Sequence, residues 1–171
     1  MKRKIRKSEK VLLFGFSLLF LFMILHDWIP LGSLNDILAV SAENTKKELV
    51  ISTLIGAVQI LLLMVILLLF IGKKYPIWAK LWLIIHPSCI FVGAMMSWWI
   101  PYLFGIGAEE RAERYRVIFG NTHSFLPVKN GIVPNTLHSL FHLTLLLCII
   151  LVIYRSEKSL LFNDMKSMIA S

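Results

Sequence analysis

The sequence predicts an all-α integral membrane protein: a four-transmembrane-helix bundle with a short amphipathic external helix. Three observations carry that expectation. The 171 residues are 57% hydrophobic and only 16% charged, with a mean hydropathy of +0.75, well above the balance of an ordinary soluble domain. Four apolar runs approach or exceed the roughly 20 residues that a helix needs to cross a ~30 Å hydrocarbon layer. Nothing alternates like a barrel strand, and an open sheet would leave backbone N–H and C=O groups unpaired in lipid.

The runs lie at 11–30, 49–72, 81–105 and 135–154, with external loops at 31–48 and 106–133, and 1–171 reads as a single membrane domain. The first, VLLFGFSLLFLFMILHDWIP, is apolar until His26 and Asp27. Trp28 suits the headgroup level, and Pro30 is the expected end, which puts His26 ~6 Å below the surface. A basic start before an apolar run is also the pattern of a signal peptide, and Val40-Ser41-Ala42 offers small residues. About 17 residues separate Leu25 from Ala42, too many for the usual short cleavage region, so 11–30 is expected to stay as a signal anchor.

The second run carries Gln59 ~15 Å deep. An amide at that depth is expected to make an interhelical hydrogen bond worth ~1 kcal/mol rather than to touch a substrate. In the third run His86 precedes Pro87, whose missing N–H predicts a kink over 83–87 with His86 near the disturbed backbone. Gly93 and Ser97 form a small-xxx-small pair suited to close helix approach, and Trp98, Trp99 and Tyr102 form an aromatic belt. Within the long external segment, AEERAERYRVIF reads as a surface helix with Glu110 and Arg114 paired at i,i+4. Pro127, Asn130-Gly131 and Pro134 then punctuate a defined return path, because Pro fixes φ and Asn-Gly favours turns. The fourth helix starts near Pro134, with Asn135 or Thr136 satisfying its free N–H groups.

Basic residues set the orientation. Lys and Arg number 12 at the ends facing the termini (the start of the chain, Lys73, Lys74, Lys80, Arg155, Lys158 and Lys166) and 6 at the opposite ends, while acids number three and seven. Positive charge is retained in the cytoplasm, so both termini are expected there, in a plasma membrane of bacterial type. The net charge of +8 is thus a topology signal; because it sits at helix ends, no nucleic-acid partner is expected. Cys89 and Cys148 fall inside spans and read as packing residues rather than a disulfide.

Candidate chemistry gathers at the external side. His138 and His142 stand one helical turn apart, ~6 Å and ~12 Å in from Pro134, so with His26 they are expected to share one depth zone below His123. Asp27, Asp36 and Asn135 are the nearest groups to orient these rings or relay a proton, while Gln59 and His86 are the remaining intramembrane polar residues. Imidazole suits a metal ion, and His26 with His138 or His142 can supply the two axial ligands of a b-type haem. The spacing lacks the interposed Glu of a zinc protease, the Glu-x-x-His pairs of a di-iron bundle and a Cys-x-x-Cys-His haem attachment. The competing expectation is that these rings hydrogen-bond to Asp27, Asn135 or loop carbonyls and tie the loop to the helix ends.

Three functions follow as expectations. The first is a small multi-pass binding or accessory protein with a His/Asp cluster at its external helix ends, partnered by the lipid bilayer and a membrane protein or a second copy of itself. The second is a membrane metalloenzyme or haem-linked redox component liganded by His26, His138 and His142. The third is a transporter or channel subunit. A Ser nucleophile is not expected, because no G-x-S-x-G occurs.

Overall fold

Apolar runs of span length produce helices here, and Pro, Gly and Asn end them. The computed structural model describes residues 4–170, with side chains through 156. The expectations that rest on residues 1–3 and on the side chains of Glu157, Lys158, Asp164 and Lys166 lie outside the described residues. The elements are α1 (Lys7–Leu25), a 3-10 turn (Gly32–Leu34), α2 (Ile37–Glu43), α3 (Lys46–Phe70), α4 (Ile77–Ala94), a π turn (Met95–Trp99), α5 (Ile100–Phe104), α6 (Glu109–Phe119) and α7 (Thr136–Ala170). Four helical stretches are long and apolar enough to cross a membrane: Lys7–Leu25, Lys46–Phe70, Ile77–Phe104 and Thr136–Ser156.

Several boundaries move from expectation for local reasons. Helix α1 stops at Leu25 rather than Pro30, because Trp28 and Ile29 N–H both turn back to the Leu25 carbonyl. His26 and Asp27 therefore sit in a turn after the helix. Helix α3 starts three residues early because Thr45 and Glu48 form a reciprocal capping box. Helix α4 starts at Ile77, directly after Pro76. Pro87 is accommodated inside α4, and the irregular turn comes later, at 95–99. There Pro101 has no N–H for the Ser97 carbonyl four residues back, and Tyr115 Oη donates to that carbonyl instead at 2.9 Å.

Helices α1 and α7 form the central pair; α3 lies along α1, α4 lies along α7, and α3 and α4 meet little. The core is built from Leu12, Phe16 and Leu19 of α1, Ile60, Leu63 and Leu67 of α3, Leu83 of α4, and Phe141 and Leu145 of α7. Gly15 lets α1 approach α7 closely: a Cβ there would stand 2.5 Å from Cys148 Sγ. Cys89 is exposed, so the two thiols face apart. The Gly93 notch does not receive a helix, since an added Cβ would meet nothing within 4 Å, and Ser97 Oγ bonds its own helix at the Gly93 carbonyl. Outward faces of the long helices are mostly apolar, with Val58 and Leu61 on α3 and Ile85 and Val92 on α4 exposed.

At the end carrying the α3–α4 turn, here the turn end, Glu9 is wholly buried. Its carboxylate meets Arg155 at 3.1 Å and accepts from the N–H groups of Arg6 at 2.8 Å and Gly72 at 3.4 Å. The Arg155 guanidinium also lies 5.2 Å from the centre of the Tyr75 ring. One buried carboxylate thus joins α1, the α3–α4 turn and α7. At the opposite end α2, α6 and residues 120–135 fold over the helix ends as a crown.

Candidate functional site

Asparagine chemistry builds the crown. Asn130 (φ 53°) and Gly131 (φ 74°) make the tight turn between Lys129 and Ile132, whose backbone groups bond each other in both directions. Asn130 Nδ2 donates to the Pro101 and Tyr102 carbonyls at the end of α5, and Tyr102 Oη donates to the Pro127 carbonyl at 3.1 Å. Gly131 packs directly on α6, where a Cβ would lie 2.6 Å from Ala112 Cβ. Asn35 ties the turn after α1, with Nδ2 on the His26 and Ile29 carbonyls and Oδ1 on the Leu31 N–H. Arg114 reaches Asn44 at 2.7 Å, joining α6 to the end of α2; the pairing with Glu110 expected from spacing is not formed, because the guanidinium crosses between elements instead.

Asn135 is the hub. It is 1% exposed; its Oδ1 accepts the His138 N–H at 3.0 Å, capping α7, and also lies 3.1 Å from His138 Nδ1. Its Nδ2 donates to the Leu34 carbonyl at 2.9 Å and Thr122 Oγ1 at 2.7 Å. A single amide therefore holds the start of α7 to the turn after α1 and to the loop after α6. Because that oxygen only accepts, His138 Nδ1 is the donor.

The imidazoles find different partners. His138 stacks on Trp98 with ring centres 5.0 Å apart, and Phe22, Phe119 and His26 meet it edge-on at 5.1, 5.1 and 5.5 Å. His26 stacks on Phe22, donates from Nδ1 to the Phe22 carbonyl at 2.8 Å and places Nε2 3.2 Å from Asp27. His142 Nδ1 accepts from Trp99 Nε1 at 3.2 Å. His123 is exposed at the surface, 2.8 Å from Thr136 Oγ1, and its backbone bonds Ser33 and Thr136. Trp98 and Trp99 both reach α7 because the π turn widens the helix where they sit; on a regular α-helix adjacent side chains diverge by about 100°.

The structure thus brings His26, Asp27, Asn135 and His138 together, sets His142 one turn further along α7 and leaves His123 outside. Among the described residues no group of three or more His, Cys, Asp or Glu side chains is arranged to hold a metal ion. Asp36 takes no part, since its carboxylate caps α2 at the Ala39 N–H. Gln59 is half-buried on α3 and makes no hydrogen bond among the described residues, so the expected interhelical bond is not formed. His86 stacks on Trp82 at 5.3 Å, with Nε2 buried and without a hydrogen bond. Sequence reading missed Phe22, Trp98, Trp99 and Phe119 as the ring partners. Phe22 was findable from its i,i+4 spacing to His26, whereas Phe119 meets His138 only through the crown.

Away from the rings the crown is polar and open. Glu113 and Arg116 pair on α6, and the Arg116 hydrogen bond holds the Glu113 carboxyl below the usual range. They border a shallow hollow of about 340 Å³ with Val128 and Val133. Burial pushes the Tyr115 phenol above the ordinary tyrosine value, an effect that Arg111 and Arg114 partly offset.

The class these features define is an all-helical chain with four span-length helices and a hydrogen-bonded crown at one end. Comparison with protein-family models, curated proteins and solved structures finds no match to it.

Proposed function

We propose that the chain is a multi-pass binding or accessory protein of a plasma membrane, with the crown on the external face and both termini in the cytoplasm. The observation that carries this reading is how the crown's polar groups are used. Asn35, Asn130, Asn135 and the ring nitrogens described above bond to backbone or neighbouring side chains, so the network fixes a surface rather than presenting reactive groups to a cleft. That surface exposes apolar side chains suited to contact, with Leu38 at 82%, Val128 at 62% and Phe125 at 56% exposure. The apolar outward faces of α3 and α4 support membrane embedding. Orientation is supported by the counts of described side chains: eight Lys/Arg and one acid at the turn end, against six and seven at the crown end.

A metal or b-type haem fits the residues less well. Trp98 covers one face of the His138 ring, and Phe22, Phe119 and His26 crowd its edges within 5.5 Å.

The test uses a photoreactive amino acid in living cells, placed at Leu38, Phe125 or Val128 and, as a control, at Leu61 on the apolar face of α3. The reading expects a discrete protein adduct from crown positions that is absent from Leu61. Adducts from every position alike, or from none, would sink it. Orientation is read in a Cys89→Ala, Cys148→Ala background. Ser41→Cys should react with an impermeant thiol reagent added outside, and Lys74→Cys should not.

A further inference from the structure

The turn end differs from the crown end in how its acid is spent. At the crown end the glutamates lie on the surface, two of them beside cations, as Glu113 does beside Arg116 and Glu110 beside Arg111. At the turn end the single described carboxylate, Glu9, is withdrawn into the interior and committed to Arg155 and two backbone N–H groups. What remains outward there is cationic. Arg6, Lys7 and Lys10 on the first turns of α1 and Lys74 in the α3–α4 turn are all exposed, and none makes an ion pair among the described residues.

Their neighbours fix the depth. Ile5, Val11 and Phe14 are exposed beside the α1 cations, and Ile77 and Trp78 are exposed just beyond Lys74, with Trp78 braced edge-on against Phe70 at 5.5 Å. Long basic side chains next to exposed aliphatics and an indole are the arrangement of the headgroup layer: the stem lies on acyl chains and the charge reaches phosphate. Burying Glu9 removes the one described anion of this end that would compete with that phosphate.

We propose that this collar, centred on Arg6, Lys7, Lys10 and Lys74, binds the headgroups of anionic phospholipids in the adjoining leaflet. The inference rests on the membrane reading above and adds a lipid class to it. Basic residues at a membrane surface each add a favourable, salt-screened attraction to acidic lipid, and four together select it over a zwitterionic lipid of the same chain length.

The experiment reconstitutes the full chain into lipid discs of phosphatidylcholine mixed with a minority of phosphatidylglycerol, then measures the lipid retained after detergent stripping by mass spectrometry. Phosphatidylglycerol should be enriched about fivefold or more over its bulk share, and added salt should erase the enrichment. Inorganic phosphate at matched ionic strength should compete no better than chloride, which separates a lipid site from a free-phosphate site. The variant Arg6→Gln, Lys7→Gln, Lys10→Gln, Lys74→Gln should lose the enrichment; the crown-end control Lys46→Gln, Lys47→Gln, Lys129→Gln should keep it. If the quadruple variant does not fold, Lys74→Gln alone should lower the enrichment. No enrichment in the wild type, or equal loss in the control, overturns the proposal while leaving the membrane reading intact. A chain that fails to enter phosphatidylcholine discs overturns the membrane reading itself.

Discussion

Asn135 concentrates more of the architecture than any other single side chain of the crown. Its amide caps α7 and holds two further segments, so Asn135→Ala removes a cap and leaves the Leu34 carbonyl and Thr122 hydroxyl short of a donor. We predict a loss of about 2–4 kcal/mol in detergent unfolding, summing a lost cap with newly unsatisfied buried groups. A loss below about 1 kcal/mol would mean that water replaces the amide. Tyr115 gives a pH-dependent counterpart. Its phenol must be neutral to donate to Ser97, and burial raises its folded-state value. The stabilisation is therefore complete below the unfolded tyrosine value and disappears as pH rises through the raised one. An absorbance titration of Tyr115→Phe should lose part of the late-ionising signal seen in the wild type.

Among the elements, the α1–α7 seam is tightest where Gly15 faces Cys148. In an apolar solvent helices gain little from hydrophobicity, and close van der Waals contact carries the association. We predict that Gly15→Ala costs about 1–3 kcal/mol by overpacking, and that Gly15→Ala with Cys148→Ala recovers most of it. Additive losses in thermal unfolding would show that the two positions do not share the space. The helices themselves were legible in the sequence, because run length and composition alone dictate them. Their ends were less so: Trp28 and Pro30 suggested a longer α1, yet the chain turns at His26 because Asn35 holds the His26 carbonyl from nine residues away. The π turn had a signal in Pro101, which deprives Ser97 of a partner, but the replacement donor comes from Tyr115 in a separate helix. His138 and His142 lie on α7 one turn apart as the spacing implies, whereas His26 falls in the turn after α1. Their partners were not legible, because a depth estimate says nothing about which ring of a neighbouring helix fills the space between.

The whole molecule is closed at the turn end by Glu9 and Arg155, a pair 146 residues apart that charge counting treats as two topology flanks. Arg155 is 13% exposed in its side chain and Glu9 is not exposed at all. Glu9→Gln therefore leaves a guanidinium largely out of water without its counter-ion, and we predict a loss of about 3–5 kcal/mol in detergent unfolding. Replacing both partners, Glu9→Gln with Arg155→Met, should cost less than the single change. A single variant as stable as the wild type would show that the pair is solvated in practice.

The central position of α1 and α7 also dictates an order of events during synthesis. The first helix to leave the ribosome packs on both α3 and the last helix, so the α1–α3 pair waits with one flank of α1 uncovered while α4 and residues 105–135 are being made. Glu9 has no cation from α7 to meet until Arg155 has been translated. Chains released before that point keep an uncovered flank on α1 and a Glu9 carboxylate that lacks Arg155, so α7 is the element that completes the core.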